Sequence, residues 1–100
     1  MKLYIVKYSA NEYDDLGYDS PYPIYYSLNR DNAYKKFSEL VNYSRNSLNQ
    51  FLKEHPNFQN NEDYSIETDN ENEFEYSFGK WFYKYIFVEV EMEVDLRYKN

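Results

Sequence analysis

Carboxylates near the end of the sequence form the clearest pattern that could do chemistry. They alternate with apolar residues, so four of them fall on one face of a predicted β-strand: Glu89, Glu91, Glu93 and Asp95. Side chains on one face of a strand stand ~6.7 Å apart, and one strand of B-DNA presents a phosphate every ~3.4 Å of its axis. The row therefore has roughly half the linear charge density of a nucleic acid strand.

A second acidic segment, residues 62–75, precedes the carboxylate row. It holds seven carboxylates and no Lys or Arg: Glu62, Asp63, Glu67, Asp69, Glu71, Glu73 and Glu75. Like charges on neighbouring strands repel, so stability alone does not favour placing the two segments together. If they lie side by side, they could mimic the charge of a nucleic acid. The alternative is a solvated acidic face that keeps the protein soluble.

Tyrosine is the second pattern, with 14 of the 100 residues. Its ring supplies apolar contact area while its hydroxyl keeps a hydrogen bond, which favours it at protein interfaces. Tyr83 and Tyr85 share a strand with the carboxylate row, and we expect them to anchor a partner. A genome rich in A and T, such as that of a low-GC bacterium or its phage, would also raise the tyrosine content, so both explanations stay open.

Residues that could support catalysis or bind a metal are sparse. The sequence has no cysteine and only two glycines, which excludes thiol chemistry and a glycine-rich phosphate loop. The single histidine, His55, precedes Pro56 at a predicted helix end, where it interacts with terminal carbonyls. Residues 69–73 alternate oxygen-bearing side chains like a calcium loop, but Phe74 stands where that loop needs glycine. We therefore expect no enzyme activity, no metal and no cofactor.

Charge and length limit the classes of partner. A net charge of −7 repels phosphate backbones and anionic membranes, so we expect no direct binding to nucleic acid and no membrane association. It would attract a basic protein surface. The sequence shows no signal peptide and no apolar run of about 20 residues, so we expect a cytoplasmic protein. One hundred residues fit a single domain, 1–100.

Periodicity predicts the elements that position these residues. Strands are expected at 2–8, 24–28, 64–68, 73–78 and from 81 to about 96, with an acidic loop at 11–19. Apolar residues three and four apart predict a helix over 30–54, with an optional break at 44–47. The predicted fold class is α+β: an antiparallel or mixed sheet of four to five strands, with one long helix packed across a face.

The last two predicted strands form a hairpin whose turn is Gly79-Lys80, with glycine first as a type II′ turn prefers. The register predicts one matched charge pair, Glu75 with Lys84, on one face. The other face carries three aromatic pairs, the aromatic ladder: Phe78 with Trp81, Tyr76 with Tyr83, and Phe74 with Tyr85. Each pair is worth about 0.2–1 kcal/mol beyond an Ala–Ala pair.

The location of the aromatic ladder depends on the last strand. From Val88 onward its even positions are apolar and are expected to be the buried ones, whereas its odd positions are aromatic up to Phe87 and acidic beyond. A β-bulge near Phe87 would exchange the two faces and bury the ladder in the core. Without a bulge the rings would lie exposed beside the carboxylates, which would favour a partner or self-association.

Three segments share a pattern with a class of known proteins: MKLYIV, NRDNAYKKF and YIFVEVEMEVD. They place a terminal strand at 3–6, a helix with Ala33 and Phe37, and an acidic closing strand at 88–95. In this pattern the chain resembles small phage-encoded accessory proteins, and in size, acidity and lack of cysteine it resembles the anti-CRISPR and other anti-defence inhibitors. Those inhibitors share no common fold, so the resemblance assigns no residue roles.

The sequence thus predicts a non-enzymatic inhibitor that blocks a basic nucleic-acid-binding surface of a host defence protein, such as a nucleic-acid-guided nuclease. The predicted partner-binding residues are Glu67, Asp69, Glu71, Glu73, Glu89, Glu91, Glu93, Asp95, Tyr83 and Tyr85. Two alternatives stay open. One is a structural or regulatory homodimer formed through the aromatic ladder, and the other is a protein that sequesters a small signalling molecule by stacking on its rings.

Overall fold

A computed structural model describes residues 1–12 and 21–92. The elements are β1 (Lys2–Glu12), β2 (Tyr22–Ser27), α1 (Arg30–Glu54), β3 (Tyr64–Asp69), β4 (Glu73–Phe78) and β5 (Trp81–Glu91). The five strands form one sheet in the order β2-β1-β5-β4-β3, and every neighbouring pair is antiparallel. Helix α1 packs across one face, which confirms the α+β prediction.

Helix α1 forms and ends where its sequence predicts. The Asn29 side chain caps the first turn by accepting a hydrogen bond from the Asn32 backbone N–H at 3.0 Å. The helix runs unbroken through residues 44–47, so the optional break is absent. At its C-terminal end the His55 backbone N–H donates to the Phe51 carbonyl at 2.9 Å, and His55 Nδ1 lies 3.0 Å from the same oxygen. The predicted role of His55 at the helix end is confirmed.

Aromatic contacts show that α1 crosses the sheet diagonally. Near its start, the Phe37 ring lies 6.1 Å from that of Phe87 on β5. In its second half, the Arg45 guanidinium lies 4.5 Å from the ring centre of Phe74 on β4. In its last turns, Phe51 meets Phe78 edge-on at 4.9 Å. The core therefore follows this diagonal and leaves a triangle of the same sheet face that no other described element covers, where β1 ends and β5 begins.

The hairpin between β4 and β5 has the predicted register. Phe78 pairs with Trp81, Tyr76 with Tyr83, Phe74 with Tyr85 and Glu75 with Lys84. Gly79 has a φ of 60°. Among the described non-glycine residues only Asn61 has a positive φ, so the φ of Lys80 is negative. This combination is that of a type II′ turn, because a type I′ turn needs positive φ at both positions.

The predicted faces of β5 are wrong. Strands β1 and β5 pair from Lys2–Glu91 to Glu12–Trp81 without a register shift, so there is no bulge near Phe87. The odd positions of β5 nevertheless face α1: Phe87 is only 7% exposed, whereas Val90 is 38% exposed. The physical reason is that α1 supplies its own aromatic side chains, Tyr34 and Phe37, to cover Phe87. The aromatic ladder lies on the helix side without any exchange of faces.

Some strand boundaries differ from prediction. β1 continues through residues 11 and 12, which were expected to begin the acidic loop, because the long β5 pairs with them. β2 is Tyr22–Ser27 and includes Pro23, which an edge strand tolerates because its outer side needs no N–H. β5 is described as far as Glu91, and the predicted positions beyond 92 lie outside the described residues.

Candidate protein-binding surface

Five tyrosines gather on the uncovered triangle beside α1, and we call this group the tyrosine shelf. Its members come from four strands: Tyr8, Tyr22, Tyr76, Tyr83 and Tyr85. The Tyr8 ring lies 4.9 Å from that of Tyr85 and 5.9 Å from that of Tyr22. The Tyr76 and Tyr83 rings stack at 5.0 Å. The shelf thus consists of two neighbouring ring groups, with a hydroxyl on every ring.

The strand registers explain why the shelf forms. Directly paired residues of an antiparallel sheet share a face, so the Tyr8–Tyr85 and Tyr76–Tyr83 pairs both point to the helix side. On β2 a bulge opposite Val6 and Lys7 shifts the register, which pairs Tyr22 with Tyr8. Trp81 extends the shelf at the hairpin end, with its ring 6.5 Å from that of Tyr83 and 43% of its surface exposed.

The shelf is partly desolvated, and this changes the acidity of two phenols. Burial, with smaller contributions from Tyr85, Tyr76, Tyr83 and Tyr22, raises the pKa of Tyr8 to about 12. Burial also raises the pKa of Tyr76, helped by the neighbouring tyrosines, while a hydrogen bond with Ser44 acts in the opposite direction. Both hydroxyls therefore stay neutral at physiological pH and can donate as well as accept hydrogen bonds.

The raised pKa of Tyr8 predicts a specific alkaline destabilisation. The folded-state pKa exceeds the ordinary value of 10.0, so the unfolded chain loses this proton first. The contribution to stability is complete below pH 10, and it is lost as the pH rises through about 12. Urea denaturation across this range should show a smaller loss of stability in Tyr8→Phe than in the natural protein. Identical pH profiles for the two proteins would contradict the assignment.

A groove runs between the shelf and the last turns of α1. It encloses about 180 Å³ and is lined by four aromatic rings with two smaller helix residues: Phe51, Tyr76, Phe78, Tyr83, Ser47 and Leu48. Phe51 and Phe78 form one edge-on pair, while Tyr76 and Tyr83 form a stacked pair. The groove is thus an aromatic recess that opens beside the shelf, with α1 as its wall.

The described part of the carboxylate row is locally neutralised. Glu89 lies 3.7 Å from the Lys2 ammonium, and Glu91 lies 3.0 Å from the N-terminal ammonium. These pairs follow from the β1–β5 register, which aligns Lys2 with Glu91. Glu93 and Asp95 lie outside the described residues, so the row is seen only at its first two positions.

The second acidic segment does not lie beside the row. Glu73 and Glu75 are 3.7 and 3.3 Å from Lys84, on the face opposite to Glu89. The hairpin register pairs odd positions of β4 with even positions of β5, so the described carboxylates of the two segments lie on opposite faces. Within the described residues the two segments therefore do not form one linear charge array.

The other predicted carboxylates cluster at the β3–β4 edge of the sheet. Asp69 forms an ion pair with Arg45, which ties this edge to α1. Glu67 Oε1 accepts a hydrogen bond from the Ser77 hydroxyl at 3.4 Å. Glu62, Glu67 and Glu71 are exposed and form no ion pair with any described residue, so they give this edge an uncompensated negative charge.

Sequence reasoning found Tyr83 and Tyr85 but missed Tyr8 and Tyr22. Tyr8 reaches the shelf through the β1–β5 pairing, and Tyr22 through its pairing with Tyr8. The β1–β5 pairing joins residues far apart in the sequence, and no local pattern predicts it. One signal was available: Tyr4, Val6 and Tyr8 occupy alternate positions of the first strand, which marks a second aromatic face that needs a neighbour.

Within residues 1–12 and 21–92 no group of three or more His, Cys, Asp or Glu side chains could hold a metal ion. Among those residues, too, no helix has the length and apolar character needed to cross a bilayer. The chain matches no protein-family model, no curated protein and no solved structure.

Proposed function

We propose that the protein is a non-enzymatic binding module that docks a basic protein surface on its tyrosine shelf. The observation that carries this proposal is the convergence of five tyrosines from four strands on the helix side of the sheet, four of them half-buried, with Tyr22 and the neighbouring Trp81 exposed among the described residues. Tyrosine and tryptophan dominate binding energy at protein interfaces because they combine large contact area with few rotatable bonds. A net charge of −7 selects basic partners over acidic ones.

The groove beside the shelf fits the side chain of a basic partner. Lysine and arginine bury their aliphatic stems along apolar surface, and their charged heads are attracted to aromatic faces. The groove offers four rings, with the Ser47 hydroxyl at its helix wall. We therefore assign the groove to a lysine or arginine side chain at the centre of the interface.

The carboxylates then act mainly at long range. Glu73, Glu75, Glu89 and Glu91 already have cationic neighbours in the protein itself, so a partner gains little from replacing them. The uncompensated charges of the β3–β4 edge raise the rate of encounter with a basic surface, and this effect falls with added salt. The proposal needs no linear array of charges.

We extend the proposal to the partner class that the sequence suggests. A nucleic-acid-binding surface of a host defence protein is basic because it holds phosphates, and it can accommodate aromatic rings because it holds bases. A small acidic protein that occupies it would act as an inhibitor, as the resemblance to phage-encoded anti-defence proteins implies. The sign of the net charge and the aromatic shelf support this extension.

A binding assay with two readouts tests the proposal. The protein is immobilised and a panel of purified nucleic-acid-guided nucleases and other nucleic-acid-binding defence proteins is passed over it at low and high NaCl. We expect a partner whose affinity falls at least about tenfold with salt and which is displaced by its own nucleic acid. A partner that binds equally at both salt concentrations, or binds nucleic acid simultaneously, would refute the mimicry. Binding by no member of the panel would remove the defence-protein assignment.

A further inference from the structure

The two central strands carry apolar residues on both faces. On the side away from α1, which we call the far face, β1 and β5 present five aliphatic residues and the edge strand β2 adds a tyrosine: Leu3, Ile5, Ile86, Val88, Val90 and Tyr26. An antiparallel sheet with one side in water normally alternates apolar with polar residues, whereas strands that are apolar on both faces are typical of sheets covered twice. Residues 3–6 of β1 and 85–88 of β5 have the sequence of doubly covered strands.

Only one of the two faces is covered by the described elements. All five strands lie in the single sheet, and α1 packs on the side of Phe87 and Phe74. On the far face Tyr26 is 56% and Val90 is 38% exposed. Ile5, which the register places between Tyr26 and Val88, is already buried. The far face therefore has a packed centre and an exposed apolar rim.

The charge of the far face indicates what covers it. Across the five strands its charged residues are two lysines and three glutamates, which sum to −1: Lys7, Lys84, Glu67, Glu73 and Glu75. The whole chain carries −7. A basic partner gains little attraction here, while two copies of the chain can meet on this face with little repulsion between like charges. The charge pattern thus favours a second copy.

The area is of the order that a dimer needs. β1 and β5 are 11 residues long and β2 and β4 are 6. At ~3.4 Å per residue and ~4.8 Å between strands, the four strands present a flat area of roughly 550 Å² before side-chain relief is counted. A standard interface buries about 800 Å² per partner.

We propose that the protein forms a homodimer in which two far faces stack as a β-sandwich. The contact is isologous, so each copy contributes the same strands and one two-fold axis relates them. The two sheets lie ~10 Å apart. The exposed Tyr26 and Val90 of each copy pack against the aliphatic residues at the centre of the other copy's far face. The tyrosine shelf stays free on the outside of both copies.

Analytical ultracentrifugation over a wide concentration range tests the dimer. The test variants are Val90→Lys and Tyr26→Lys, which place a charge on the exposed rim of the far face. The matched control is Tyr43→Lys on the outer side of α1, where the ring is 73% exposed. We expect either far-face variant to weaken dimerisation at least about tenfold, while the control and Tyr83→Ala leave it unchanged. Circular dichroism verifies that each variant is folded.

Two outcomes would overturn the proposal. One is a natural protein that stays monomeric at every concentration, and the other is a dimer that Tyr83→Ala abolishes but Val90→Lys and Tyr26→Lys leave intact. The second outcome would move self-association to the tyrosine shelf. Salt gives an independent readout: the small net charge of the far face predicts a dimer that added NaCl does not weaken, in contrast to the partner binding proposed for the shelf.

Discussion

Replacing Phe87 by alanine is expected to lower the free energy of unfolding by about 3–5 kcal/mol, a large part of the stability of a domain of this size. The ring is buried where α1 meets the sheet, and it contacts Tyr34 edge-on at 5.3 Å and Phe37 at 6.1 Å. The Arg30 guanidinium covers it at 5.5 Å. Removing the ring leaves a cavity between layers that cannot collapse. Urea denaturation followed by tryptophan fluorescence measures the loss.

The matched control for Phe87→Ala is Tyr43→Ala, which removes an aromatic ring from the exposed side of α1. We expect this change to alter the free energy of unfolding by no more than about 0.5 kcal/mol. Phe87→Leu should fall between the two, because leucine refills part of the volume. Equal losses in Phe87→Ala and Tyr43→Ala would contradict the assignment of Phe87 to the core, and with it the finding that the odd face of β5 carries the helix.

Tyr83→Ala is expected to have the largest effect on partner binding, a loss of about 2–3 kcal/mol, or roughly 30- to 150-fold in Kd. Tyr83 stacks on Tyr76, neighbours Trp81 and lines the aromatic groove, so its removal opens the centre of the proposed interface. Tyr83→Phe keeps the ring and should lose only the part of the binding free energy that the hydroxyl contributes. Titration calorimetry with the partner found in the binding assay measures both variants.

Tyr26→Ala provides the comparison for Tyr83→Ala on the opposite side of the sheet. Tyr26 is also an exposed strand tyrosine, yet it lies on the far face, so we expect its removal to leave the Kd for the partner unchanged. A thermal melt of each variant separates a loss of binding from a loss of folding. Equal weakening by the two substitutions would mean that the shelf is not the binding surface.

Local patterns predicted the elements of this fold well. The three- and four-residue spacing of α1 and the Gly79-Lys80 turn each involve residues close in sequence, and the structure has them where expected. Assignment of the faces failed because residues 85–88 of β5 are apolar on both sides. Glu89 and Glu91 then marked the odd side as the solvent side, although the same side carries Phe87, which the helix covers.

The candidate site was predictable only in part. The hairpin register brought Tyr76 and Tyr83 together from local pairing, but Tyr8 joins them through a strand from the other end of the sequence. The alternation of residues predicted the carboxylate row but left open whether the second acidic segment lies beside it. The register places the described carboxylates of the row and of β4 on opposite faces and gives Glu75 and Glu89 lysine neighbours, which the spacing within one strand does not reveal.

The long β1–β5 pairing also determines how the chain must acquire its shape. Val6 meets Phe87 about 80 residues later in the sequence, so the centre of the sheet closes the largest loop in the molecule and bears a heavy entropic cost. The β4–β5 hairpin and α1 are local and can form early. β1, whose residues 3–6 are apolar on both sides, stays unpaired with β5 until β5 has been synthesised. During that interval it is the segment most in need of protection by a chaperone.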